Sequence, residues 1–127
     1  MTVGLATVQR ANARLNVYRG TTDTGIANVY VKLHTGDPGS AGTANASAVT
    51  TRNAITWNAA SGGSMTLATL SDYSMTTGET ISHISLWDNS TAGNFLESAQ
   101  LTTPVPVING STLHFSSLTL AESPLAA

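Results

Sequence analysis

Val29, Val31 and Leu33 alternate with Tyr30, Lys32 and His34, the period-two pattern of a half-buried strand. The alternation returns in RNAITWNAA, where Ile55, Trp57 and Ala59 oppose Thr56 and Asn58, and resumes in GGSMTLATL after Gly62 and Gly63. These two runs predict a hairpin. A second hairpin is predicted in ETISHISLWDNSTAGNFLESAQL, because its apolar runs flank DNSTAG, whose residues tolerate turn geometry and hydrogen-bond their own backbone. Its first arm carries Ile84 and Leu86 on one face and Ile81, His83 and Trp87 on the other. With neither face plainly polar, the strand is expected to be central or to meet a partner. Pro104 and Pro106 cannot donate to a ladder and confine their segment to a sheet edge or a kink, after which Asn109-Gly110 turns the chain back. In the last run Leu113 and Phe115 stand at odd positions and Leu118 and Leu120 at even ones, which predicts a bulge across Ser116-Ser117.

The N-terminus has a different period. At 100° per residue Leu5, Val8, Ala11, Leu15 and Tyr18 share one side and Arg10 and Arg14 another, so an amphipathic helix is expected at about residues 4–18, ended by Gly20. Its apolar stripe could cover one end of the sheet or pack on a neighbouring subunit. The whole chain then divides into a helical arm, 1–20, and a body, 21–127. The expected fold is mainly β, an antiparallel β-sandwich of about seven or eight short strands with one N-terminal amphipathic helix.

Composition strengthens the β assignment. The 127 residues include 20 Thr and 14 Ser but only 9% charged residues, so β-branched and turn-forming types take the place of salt-bridging ones. The arm holds Arg10, Arg14 and Arg19 and no acid, whereas the rest has Lys32 and Arg52 against seven acids, a split of +3 and −5 within a net charge of −2. So small a net charge gives little repulsion between copies and suits a protein packed against others. Three arginines without interleaved aromatics above an acidic body make a poor phosphate-binding surface, and no nucleic-acid partner is expected. The chain has no cysteine, and no run approaches the roughly 18 to 20 apolar residues of a membrane span. The basic N-terminus is not followed by an apolar signal core, so neither secretion nor a membrane partner is expected.

Candidate chemistry is sparse. Gly36, Gly39 and Gly42 recur every third residue in HTGDPGSAGT, but without the lysine and following helix of a phosphate cradle. The segment reads as a connection, with Gly36, Asp37, Pro38 and Gly39 its exposed part. His34, His83 and His114 could converge on a metal, but none has a partner at a ligand-pair spacing, and the hydrogen-bonded strand histidine is preferred. The aspartates are scattered over turns rather than gathered as in a calcium loop. No serine sits in a nucleophile elbow and no carboxylate pair is placed for acid and base work, so no catalytic residue and no cofactor is assigned. The aromatic residues could form a sugar platform but fit a core better.

The stretches VYVKLHTGDPGSAGTANAS, SHISLWDNSTAGNFLESAQL and PVINGSTLHFSSLTLA together resemble a family of small tailed-phage virion proteins, of the type seen in actinobacterial phages and prophages. The resemblance spans nearly the whole chain and rests on the N-terminal helix, the LHTGDPG segment, the S-L-W-D strand end and the closing apolar strand. Members are described as tail-fibre, minor tail or head-associated proteins, so the resemblance implies a place in the virion after synthesis in the host cytoplasm. It supplies no catalytic residue. The expectation is a non-enzymatic structural protein, first a capsid decoration or minor capsid protein that stabilises the head lattice, alternatively a minor tail or tail-fibre protein contacting host-surface glycan. Its partners would be further copies of itself and other virion proteins, the major capsid protein first among them. Leu5, Val8, Arg10, Arg14, Leu15, Tyr18 and Trp87 are the residues expected at the assembly interface.

Overall fold

The computed structural model describes residues 3–121. Within them lie nine strands: β1 Gly4–Leu5, β2 Val29–His34, β3 Asn53–Trp57, β4 Ser64–Leu70, β5 Tyr73–Ser74, β6 Glu79–Trp87, β7 Phe95–Val107, β8 Thr112–Leu113 and β9 Thr119–Ala121. Seven of them form one antiparallel sheet in the order β1-β7-β6-β2-β3-β4-β9, and β5 pairs with β8 in a separate ribbon. The large sheet curls, so that side chains from both of its margins, Leu5 and Leu96 on one and Met65 and Leu120 on the other, line a common cavity.

Both predicted hairpins are present, β3–β4 and β6–β7, and their alternation places the core. Val31 and Leu33 of β2, Ile55 of β3, Ile84 and Leu86 of β6 and Leu96 of β7 line the inside of the curl and belong to one buried cluster, which also takes in Ile81 and Val107. The ribbon closes that side. Tyr73 is buried, donates its hydroxyl to the Val31 carbonyl at 2.7 Å, and meets Phe115 edge-on with ring centroids 6.3 Å apart. Burial drives the Tyr73 phenol pKa far above its ordinary value, so this hydroxyl stays a donor.

β6 is central, as its two apolar faces require, with β7 on one side and β2 on the other. β7 is paired with β6 along its length, but β1 covers its other side only at Glu97 and Ser98. Pro106 lies beyond that pair, where a missing N–H is tolerated. Between the pairs His83–Gln100 and Ile81–Val105, the four residues Leu101 to Pro104 stand opposite Ser82 alone, so β7 bulges outward there.

Two local expectations are corrected. The N-terminal helix does not begin at residue 4: Gly4 and Leu5 pair with Ser98 and Glu97, and the Ala6 N–H binds the Leu96 carbonyl at 2.7 Å. The chain then turns through a π turn at Thr7–Ala11, the short helix α1 at Asn12–Asn16 and a 3₁₀ turn at Val17–Arg19, closed by Gly20 at φ 83°. Its backbone groups find sheet partners before the helix can start. The change of parity at Ser116-Ser117 is a break rather than a bulge: β8 belongs to the ribbon and β9 pairs with β4, so the inward side changes because the chain changes sheets.

Tyr73 joins the ribbon to the sheet through both its ring and its hydroxyl. Tyr73→Ala should lower stability by about 3–5 kcal/mol and Tyr73→Phe by about 1 kcal/mol, read as shifts of the urea midpoint at constant slope.

Candidate functional site

The segment after β2 does not hang in solvent. It folds back across the outer face of β2 and β6, opposite the core. The Thr35 N–H binds the Asn45 carbonyl at 2.8 Å, the Ala44 N–H binds the Pro38 carbonyl at 2.9 Å, and the Ser47 N–H returns to Leu33 at 3.1 Å. Asp37 Oδ1 accepts the Gly39 N–H at 2.9 Å, and Asn45 Nδ2 donates to the Asp37 carbonyl at 2.9 Å. Pro38, Gly42 and Ser47 are buried, and Gly36, Asp37 and Gly39 are half-buried. The expectation that Gly36, Asp37, Pro38 and Gly39 form an exposed loop is therefore corrected. The glycines serve close approach: Gly42 has φ 71°, and a Cβ there would stand 2.3 Å from the Phe95 ring.

Beneath this cover runs a directed hydrogen-bond chain. His34 is fully buried, with Nδ1 2.8 Å from the Ala44 carbonyl and Nε2 2.7 Å from Ser85 Oγ. A carbonyl can only accept, so Nδ1 carries the proton, Nε2 accepts the Ser85 hydroxyl, and Ser85 Oγ in turn accepts the Trp87 Nε1–H at 2.8 Å. Burial lowers the His34 pKa, and the neighbouring Lys32 and His83 lower it further against the helpful Ala44 carbonyl. A second proton on Nε2 would leave the Ser85 hydroxyl facing another donor.

Trp87 is 6% exposed, which removes it from the free surface on which an assembly contact was expected. Its ring is covered by Arg52, whose Cζ lies 3.8 Å from the centroid, and by Phe95 at a centroid distance of 5.6 Å. Arg52 also donates to the carbonyls of Asn89 and Ala92 at 3.1 and 2.6 Å, tying the hairpin turn to the ring. Asp88 closes the same turn, accepting the Asn94 N–H at 2.7 Å and the Asn94 amide at 2.8 Å, and these two bonds hold its carboxyl below the ordinary range. Nothing in the local pattern around Arg52 marks it as a functional side chain. Its signal was that it is one of only two bases in the body.

The remaining expected interface residues separate into two groups. Leu5, Arg10 and Arg14 are half-buried and line the cavity inside the curl, with Arg10 Nη2 3.2 Å from Asp23 Oδ2. Leu15 and Tyr18 point outward at 65% and 91% exposure. The Val8 side chain lies outside the described residues. His34 and His83 are register partners on β2 and β6, whereas His114 stands apart, 2.6 Å from Asp72. Among the described residues no three metal-ligating side chains come together.

The buried imidazole makes the cover sensitive to acid. Its contribution is complete above the unfolded-chain value near pH 6.5, drains away as the pH falls below that value, and is gone once the lowered folded-state pKa is passed. His34→Gln should cost about 2–4 kcal/mol at neutral pH, and the difference from wild type in denaturant titrations should narrow between pH 7 and pH 5. A constant difference across that range would refute the role assigned to neutral His34.

No curated protein matches the chain significantly. Residues 5–122, which take in every strand except the first residue of β1, match the family described as podophage GP4 fiber I protein gp80. The chain belongs to that phage fibre protein family.

Proposed function

We propose that this protein is a non-enzymatic fibre component of a phage virion that is present in several copies and meets the glycan of the host surface. The observation that carries the proposal is membership of the fibre family over residues 5–122. The surface chemistry supports it. On β3 and β4 the exposed positions Ala54, Thr56, Thr66, Ala68 and Thr69 carry no charge, and the Thr56 and Thr69 hydroxyls lie 2.6 Å apart across the pair. Asn58 adds its amide, 3.0 Å from the Thr66 hydroxyl. Hydroxyl and amide groups on a rigid sheet can exchange hydrogen bonds to water for hydrogen bonds to a sugar. Trp87 cannot stack on a sugar ring while buried, so contact would run through these polar groups.

Capsid decoration drew its support from the split of charge between arm and body and from a central strand with two apolar faces. That strand, β6, has its second face covered by the chain's own residues 35–48, and the family description favours the fibre. The exposed Leu15 and Tyr18 on the basic arm are the positions where further copies or other virion proteins would join.

Two measurements test the proposal together. Quantified in purified virions, the protein should be present at the few copies of a tail appendage. The free protein added to host cells should slow adsorption of the phage, and removal of surface glycan should abolish its binding. Copy numbers that follow the count of capsomers, with no binding to cells, would overturn it.

A further inference from the structure

The N-terminal arm and the body leave an open cleft of about 750 Å³ between them. It is lined by arm residues between Gln9 and Asn16, by the connecting segment 21–27, and by Asp88, Asn94 and Leu96 around the β6–β7 turn. Its hydrogen-bonding groups are largely neutral and unclaimed. Gln9, Asn12, Thr21, Thr22 and Thr24 are exposed, and among the described residues their side chains hold no hydrogen bond. A primary amide both donates and accepts, as does a hydroxyl, so these groups match ligand hydroxyls in either sense. The charged groups are balanced. Arg10 is paired with Asp23 at 3.2 Å, and the Asp88 carboxylate is occupied by Asn94, which leaves no spare cation to select an acidic ligand. The Arg10–Asp23 pair keeps N–H donors beside a carboxylate acceptor, an arrangement that meets two adjacent hydroxyls of a sugar ring. Ile26 and Leu96 add an apolar patch for the C–H face of such a ring.

We propose that this cleft is a binding site for a neutral saccharide, a short stretch of host-surface glycan held by the amides and hydroxyls around Arg10 and Asp23. The inference rests on the reading of the protein as a glycan-contacting fibre component, and adds to the β3–β4 surface a concave site at the arm. Shape and chemistry select the class. The volume falls within the roughly 300–1,000 Å³ usual for small-molecule sites, but the lining is polar where a hydrocarbon ligand would need it apolar. A phosphorylated or carboxylated sugar would meet Asp88 and an Arg10 already engaged by Asp23. Among the described residues no aromatic ring lines the cleft, so hydrogen bonds supply the grip and each site is weak alone. Several copies facing one surface would multiply it.

The test uses the intact protein and oligosaccharides released from the surface of host cells, divided by anion exchange into a neutral and an acidic fraction. Binding is followed by saturation-transfer NMR. The neutral fraction should bind saturably and the acidic one several-fold more weakly. Gln9→Ala and Asn12→Ala, both at exposed positions, should each weaken binding of the neutral fraction about three- to tenfold. Gly25 lines the cleft and has open space where a Cβ would stand, so Gly25→Trp puts an indole into the site and should abolish binding. Thr56→Ala combined with Thr69→Ala, on the β3–β4 surface, should leave this binding in place. Binding that survives Gly25→Trp, or a preference for the acidic fraction, would overturn the cleft as the site and leave the fibre reading standing. No saturable binding of either fraction by wild type would overturn the glycan reading as well. The wild-type comparison of the two fractions decides the matter even where a variant fails to fold.

Discussion

A hydrogen-bond chain from Trp87 through Ser85 and His34 to Ala44 holds the fold's outer layer in place. A curled sheet buries its inside automatically, because alternation sends half of its side chains there. Its outside needs water or a cover. On β2 and β6 that outside carries an imidazole, a serine hydroxyl and an indole, groups that are costly to bury without partners. Residues 35–48 supply both the partner, the Ala44 carbonyl, and the exclusion of water. Once this layer is seated, β6 is enclosed on both faces and can act as the axis around which β7 and β2 are arranged.

The composition of the cover follows from its position. Gly, Ala, Ser and Thr have little side-chain rotamer freedom to lose, although the glycines lose more backbone freedom than other residues when fixed. They are also small enough for the backbone to approach Phe95 at Gly42 and to turn at Asn45, which has a positive φ of 50°. Larger residues would bury more area but could not lie this close. The segment that looks least informative along the chain is therefore shaped by contact at Pro38, Gly42 and Ser47.

This explains which parts of the fold were legible in the sequence. The hairpins β3–β4 and β6–β7 were readable because a period of two and turn residues such as Asp88, Asn89 and Gly93 are local properties. The centrality of β6 was readable from the apolar residues on both its faces, but not what covers the second face, because residues 35–48 have no periodicity. β1 was hidden because a two-residue strand can share an apolar pattern with the helix that follows. The parity change at Ser116-Ser117 is the same in sequence for a bulge and for a change of sheet, and only the partners of β8 and β9 distinguish them. Leu5, Arg10 and Arg14 were singled out as interface positions and not as the lining of a cavity, whose walls come from strands far apart in the chain.

The bulge and prolines of β7 matter most where many copies are crowded together. A chain with a net charge of −2 has almost no long-range repulsion to keep neighbours apart, and an uncharged strand edge ordinarily invites a second molecule to continue the sheet. Leu101 to Pro104 swell out of line and Pro106 lacks a donor, so a flat ladder cannot propagate past them. Shape thus takes over the task of charged gatekeepers, allowing the surface to stay neutral without the protein growing into an unlimited fibril.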